Sequence, residues 1–325
     1  MENSESKSQM FKEIIKILLK VVLLSFVFMM VMGISSGITG MSTEGIVADP
    51  TQVMGATLLV FFLQTIALSL VIVRSKLSNL HLTILVIGLY FGLSVFLVQI
   101  ETLVFLDYFT EIIDPQMITQ LFIQGGLTSL IFAPIAVFVL RGRKSIENMK
   151  LQSVRLGMTK IQGFVKISLL ATIFVVFYIF FGIFVAWANP ALSDYYGDLI
   201  TQMADVGTAM LLLQAGRAVV FIALAFPVIR TMRGATWEKA LVVAFLFTVL
   251  TAANLLIPTS IMPDSIRMSH FIEITIPAVL FGLLVVWLMN RSHESFRDLF
   301  RGTQERKSES EEHEDDFKAT VIIQR

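Results

Sequence analysis

Arg217 stands near the middle of an apolar run, LLLQAGRAVVF, and Glu101 near the end of another, LVQIETLVF. A guanidinium inside hydrocarbon costs roughly 2.5–3.5 kcal/mol even on the lenient insertion scale, so it should face protein or water and take a partner. The two runs cross in opposite directions, which places Glu101 about 7 Å and Arg217 about 13 Å below the same boundary at 1.5 Å per residue. An arginine stem covers that difference, and the expectation is a pair, direct or through water. Two kinds of chemistry follow from it. Arg217 is a counter-ion for an anionic solute with Glu101 as its switchable partner or a proton carrier, or the two form a static ion pair between helices.

Other polar side chains collect at similar depth: Gln64, Gln99, Gln120, Gln124, Gln214, Thr251 and Asn254. Gln120 and Gln124 share a helix face at i, i+4, as do Gln214 and Arg217 at i, i+3. Together they predict a polar chamber open toward the outside. Gly125-Gly126, Pro134 and Pro227 supply places for helices to bend around it. As interhelical glue the same amides would contribute only about 0.6 kcal/mol each.

Enzyme readings lack their groups. His81, His270, His293 and His313 all fall outside the apolar runs, and the chain has no cysteine. Metal hydrolysis or oxygen chemistry needs ligands clustered in the bundle, so neither a metal nor a cofactor is expected. Ser35, in the run GISSG, has nucleophile-elbow spacing, with His270 and Asp264 on the same side of the membrane. That motif needs a strand, a tight turn and a helix, so glycines near a helix end are the plainer reading. No phosphate-cradling loop with its lysine appears, and nothing in the pattern points to nucleic acid.

The elements that position these residues are membrane helices. Apolar residues make up 55% of the 325, charged residues only 15%, and the mean hydropathy is +0.78. Spans are expected at 14–35, 53–73, 82–106, 117–140, 164–186, 208–229, 240–258 and 272–290, each near the ~20 residues that cross a bilayer. Backbone groups in lipid must bond within their own segment, so continuous apolar runs read as helices. The fold class is therefore an all-α integral membrane protein with eight transmembrane helices.

Lysine and arginine set the orientation. They gather in the amino-terminal tail, at Arg74 and Lys76, over 141–160, at Arg230, Arg233 and Lys239, and in the carboxyl tail; the opposite loops hold only Arg267 and are acidic. Both termini are expected in the cytoplasm. Thr51-Gln52 and Gln64 recur as Thr201-Gln202 and Gln214 at one common offset, and Lys16 has its echo in Lys166. These echoes predict two parallel four-helix repeats. The organisation is then a tail at 1–13, a first repeat at 14–140, a basic linker at 141–163, a second repeat at 164–290 and a tail at 291–325. An amphipathic helix near 191–204 is expected at the outer interface, with 36–52 as the equivalent loop. The carboxyl tail, acidic over SESEEHEDD, has the composition of disorder and offers a partner protein a contact through Val321-Ile322-Ile323.

The leading expectation is a transporter or permease-like protein that handles a small anionic or polar solute within the lipid bilayer. A non-transporting scaffold, assembly factor, sensor or subunit of a larger membrane complex is the alternative. Loops without glycosylation sequons on the outward side suit a bacterial inner membrane.

Overall fold

The computed structural model describes residues 2–41, 50–104, 115–142, 158–192, 207–260 and 262–291. Eight of its helices are long and apolar enough to cross a membrane. They are α1 (Glu2–Thr39), α2 (Pro50–Arg74), α3 (Asn79–Val104), α4 (Pro115–Arg141), α5 (Lys160–Ala188), α6 (Gly207–Thr231), α7 (Thr236–Ala252) and α8 (Asp264–Met289). This is an all-helical, multi-pass membrane protein. The expected linker over 143–157, most of the helix near 191–204, and the tail from 292 with His293 lie outside the described residues.

Several boundaries differ from the sequence reading. The first helix begins at Glu2, so residues of the expected tail continue it, and it runs on to Thr39 through part of the expected 36–52 loop. Thr39 Oγ1 donates back to the carbonyls of Ser35 and Ser36 at 3.2 and 3.0 Å, satisfying acceptors that would otherwise end the helix. Ser35 is accordingly a buried helical residue and no part of a nucleophile turn. The last helix starts at Asp264, eight residues before the apolar run. Arg267 therefore sits in its first turns and not in a loop, with its guanidinium on Asp264 Oδ1 and the Leu255 carbonyl, each at 2.6 Å. His270 belongs to the same helix and His81 to α3, so two histidines lie on spanning helices.

Packing follows one plan twice. In the first half α1 packs on α2 and α4, and α3 on α4; in the second, α5 packs on α6 and α8, and α7 on α8. Each half is centred on four aromatic rings, one from each helix. Phe28 stacks on Phe132 at 4.1 Å and meets Phe61 and Tyr90 at 4.9 and 5.1 Å. Phe174 meets Phe281 at 4.8 Å and Phe221 at 5.4 Å, while Phe221 meets Phe247 at 4.7 Å. Ring pairs at these separations add directional attraction to close packing, which matters in lipid because hydrocarbon outside is as apolar as the core. Small residues bring the helices within reach: a Cβ on Gly282 of α8 would lie 2.5 Å from Ala244 Cα of α7.

The halves join through α2 on α7, α3 on α6 and α3 on α7. At the basic end the link is reciprocal: Lys76 N donates to Thr231 O and Arg233 N to Arg74 O, both at 2.8 Å, around a single bridge between Ser75 and Met232. Arg141, at the end of α4, caps this crossing by donating to the carbonyls of Leu77, at 2.6 Å, and Ser75. Glu238 accepts from Ala235 N at 2.9 Å, closing the first turn of α7, and pairs with Arg74 at 3.0 Å. Gly234 makes the turn between them with φ +117, a conformation that penalises a side chain.

Candidate functional site

Midway along α3, that helix and α6 approach closely because Gly92 has no side chain. A Cβ there would lie 2.6 Å from Leu224 Cδ1. Around that point α3 is locally a π-helix, Phe91–Phe96, in which Leu97 N reaches back to Gly92 O. Ser94 uses its hydroxyl to tie this segment to α7, donating to Leu250 O at 2.7 Å. Such wider turns occur mostly as single insertions in α-helices and frequently beside functional sites.

Beyond the π segment, Glu101 of α3 meets Arg217 of α6. Arg217 Nη1 lies 2.5 Å from Glu101 Oε2. Gln214, fully buried one turn away, braces both partners: its Nε2 donates to Glu101 Oε1 at 3.0 Å and its Oε1 accepts from Arg217 Nη1 at 3.0 Å. Arg217 is 10% exposed and Glu101 27%, so the carboxylate is the accessible member of the pair. Arg217 Nε is buried with no hydrogen-bond partner among the described residues. A guanidinium bound at one nitrogen and vacant at another is set up to accept a second oxygen ligand.

The remaining amides do not join this pair. Gln64 is buried on α2 and donates to Asn254 Oδ1 at 3.1 Å, in the 3₁₀ turn that ends the α7 span, while its own Oε1 has no partner among the described residues. Gln120 donates to the Thr39 carbonyl at 3.3 Å, tying α4 to the end of α1. Thr251 donates within its own helix to Phe247 O at 2.6 Å. Gln124 is buried and Gln99 half-buried, and no hydrogen bond connects either to Arg217 or Glu101 among the described residues. Of these seven polar residues, Gln214 alone hydrogen-bonds to the charged pair among the described residues.

Two residues absent from the sequence reading stand near the pair. Glu273 of α8 holds His270 Nδ1 at 2.8 Å through its Oε2. Its other oxygen lies 3.3 Å from where a Cβ on Gly182 of α5 would be, so that glycine admits the carboxylate against α5. Tyr178 stands one turn before Gly182 on α5. The available signal was the i, i+3 spacing of His270 and Glu273, which puts them on one helix face. Starting the last span at 272 hid it.

Among the described residues no group of three or more histidine, cysteine, aspartate or glutamate side chains is arranged to hold a metal ion. No protein-family model, curated protein or solved structure matches the chain.

Proposed function

We propose that this protein is a transporter or permease-like membrane protein whose solute site is built on Arg217, Glu101 and Gln214. The supporting observation is the buried Nε of Arg217, a donor without a partner beside a carboxylate that is more exposed than the guanidinium it neutralises. A small solute bearing a carboxylate or phosphate would take up Nε together with Nη2, the side-on fork that such anions favour, across the guanidinium from Nη1 and Glu101. An ion pair of this kind is costly to bury and often adds no more stability than a well-packed apolar pair. Its retention on spanning helices therefore argues for a task beyond folding.

The basic end would face the cytoplasm, putting both termini inside and the charged pair in the outer half, and a bacterial inner membrane would satisfy this arrangement. Two parallel four-helix repeats underlie the reading. They are supported by the matched packing of α1–α4 and α5–α8, the two four-ring clusters and the reciprocal crossing at the basic end. Helix ends at Arg74 and Thr231 and helix starts at Asn79 and Thr236 keep one common spacing, longer than the one that aligns Gln64 with Gln214. The repeat correspondence thus follows helix boundaries better than glutamine positions.

A second reading, a scaffold or complex subunit with contacts through its tail, is favoured by the brace of Gln214. A carboxylate, an amide and a guanidinium bonded in a ring are also what a static interhelical clamp needs. The test is thermal unfolding of the purified protein across a panel of small carboxylates, phosphates and polar metabolites, with Arg217→Ala, Glu101→Gln and the double variant. Transport predicts a ligand that raises the wild-type midpoint and has no effect on Arg217→Ala. The scaffold predicts no active ligand, destabilised single variants and partial rescue in the double one.

A further inference from the structure

A second guanidinium is buried with a vacant edge. Arg267, in the first turns of α8, has a side chain only 7% exposed, and its Nε is buried with no hydrogen-bond partner among the described residues. Helical side chains lean toward the amino terminus, so Arg267 reaches back over the start of α8. Its Nη1 is anchored outside the helix, on the Leu255 carbonyl at 2.6 Å, which holds the group in place. Nη2 donates to Asp264 Oδ1, also at 2.6 Å. The edge formed by Nε and Nη2 is the one that carboxylates and phosphates take side-on with two oxygens. Here one of its two positions is filled.

The carboxylate on that edge is loosely committed. Asp264 is 80% exposed, whereas the Glu101 partner of Arg217 is 27% exposed and braced by Gln214. An ion pair whose carboxylate is so well hydrated gains little, so Asp264 can turn into water at small cost. The helix adds a second attraction. Its N-cap is Pro263, which supplies no side-chain cap, so the positive end of α8 is left to an anion. We propose that Arg267 and the first turn of α8 form a further anion-binding site, for a phosphate or carboxylate that offers two oxygens. One oxygen accepts from Nε and the other from Nη2 once Asp264 has swung out, while Nη1 stays on Leu255. A halide has a single centre and cannot give each nitrogen its own linear bond. The site lies at the end of α8 away from the basic crossing, since Asn290, just past the other end, donates to Thr236 Oγ1 at 2.8 Å. It shares no residue with the Arg217 pair and stands whether or not that pair handles a solute.

The test is titration of the full-length protein, in a neutral maltoside detergent, with inorganic phosphate, followed by broadening of the phosphorus resonance. Phosphate should bind about tenfold more tightly in Asp264→Asn, as for a site that an internal competitor leaves open about a tenth of the time. Binding should be lost in Arg267→Lys, which keeps the charge and removes the fork. Because Asp264 is an exposed side chain, the gain is readable even where Arg267→Lys fails to fold. Repeating the titration in nanodiscs identifies the source of the ligand: phosphate binding abolished by phosphatidylglycerol and kept in phosphatidylcholine assigns the site to a lipid headgroup, and binding kept in both assigns it to a free solute. The site stands in either case. An affinity unchanged in Asp264→Asn overturns the proposal, as does chloride competing as well as acetate. Phosphate binding that responds to Glu101→Gln and not to Asp264→Asn belongs to Arg217; it sinks this site and leaves the transport reading intact.

Discussion

The two halves share a skeleton and differ in what they place on it. Each assembles four helices around four rings, and each has a glycine where its third and fourth helices touch, Gly125 against Val95 and Gly282 against Ala244. Yet the second half supplies Arg217 and Gln214 to the charged pair and a second pair, His270 with Glu273, while the first supplies Glu101. The rings explain how the chain packs in lipid, where burying apolar surface brings no gain and fit between helices decides. The unequal polar residues are the ground of the proposed function, because nothing in the packing plan requires them.

That contrast can be broken at its strongest point first. In Gly282→Ala the new methyl meets the Ala244 backbone, at 2.5 Å from Cα and 2.8 Å from N, so α7 and α8 must separate. The expected cost is about 3 kcal/mol, at the upper end of overpacking penalties. Gly125→Ala meets the Val95 side chain, its methyls at 2.3 and 2.8 Å and its Cβ at 3.1 Å, but no backbone atom, and should cost about 2 kcal/mol because a β-branched side chain must leave its rotamer. Denaturation by SDS titration measures both, and equal penalties would mean the two glycines do not differ in how closely they admit a neighbour.

Next are the rings. Phe28→Ala and Phe247→Ala should each cost about 2 kcal/mol, since in lipid the transfer contribution largely drops out and the cavity of roughly 100 Å³ remains. The same titration reads this, and a twofold disparity between the variants would undo the equivalence of the clusters. Smallest is the amide comparison. Gln64→Leu gives up one bond to Asn254 and also removes a buried acceptor without a partner, leaving a net change within about 0.6 kcal/mol. Gln214→Leu takes away contacts to Glu101 and Arg217 and should cost about 1–2 kcal/mol. If Gln64→Leu is the more harmful, the polar asymmetry between the halves has been assigned the wrong way round.

What could be read from the sequence was whatever lipid makes expensive. Continuous apolar runs located eight helices, and the cost of a buried guanidinium picked out Arg217 and pointed it at Glu101. The ring clusters were hidden because 27 phenylalanines are distributed over helices apolar on nearly every side, so no periodicity tells which ring faces inward. The start of α8 was hidden for a different reason. Asp264 with Arg267, His270 with Glu273, and Ser269 with Asn189 satisfy one another locally, so a stretch too polar for a hydropathy window is nonetheless helical. The polar residues were legible only in depth: position along a helix follows from residue number, but azimuth does not, and Gln64, Gln120 and Thr251 hydrogen-bond to neighbours other than the charged pair.

The π segment of α3 makes the length of that helix a phase setting. One extra residue in an α-helix rotates everything beyond it by about 100°, whereas a π turn absorbs that residue locally and keeps the phase. Glu101 lies beyond it, and His81 and the basic crossing lie before it. Removing a single residue between Tyr90 and Leu97 would relax the segment to an ordinary α-turn and leave the carboxylate facing α6, while removing one between Leu97 and Glu101 would swing it away without altering any residue in the pair. The register of α3 therefore tolerates a deletion inside the π segment and not beyond it, and the charged pair exists only in one of the two phases.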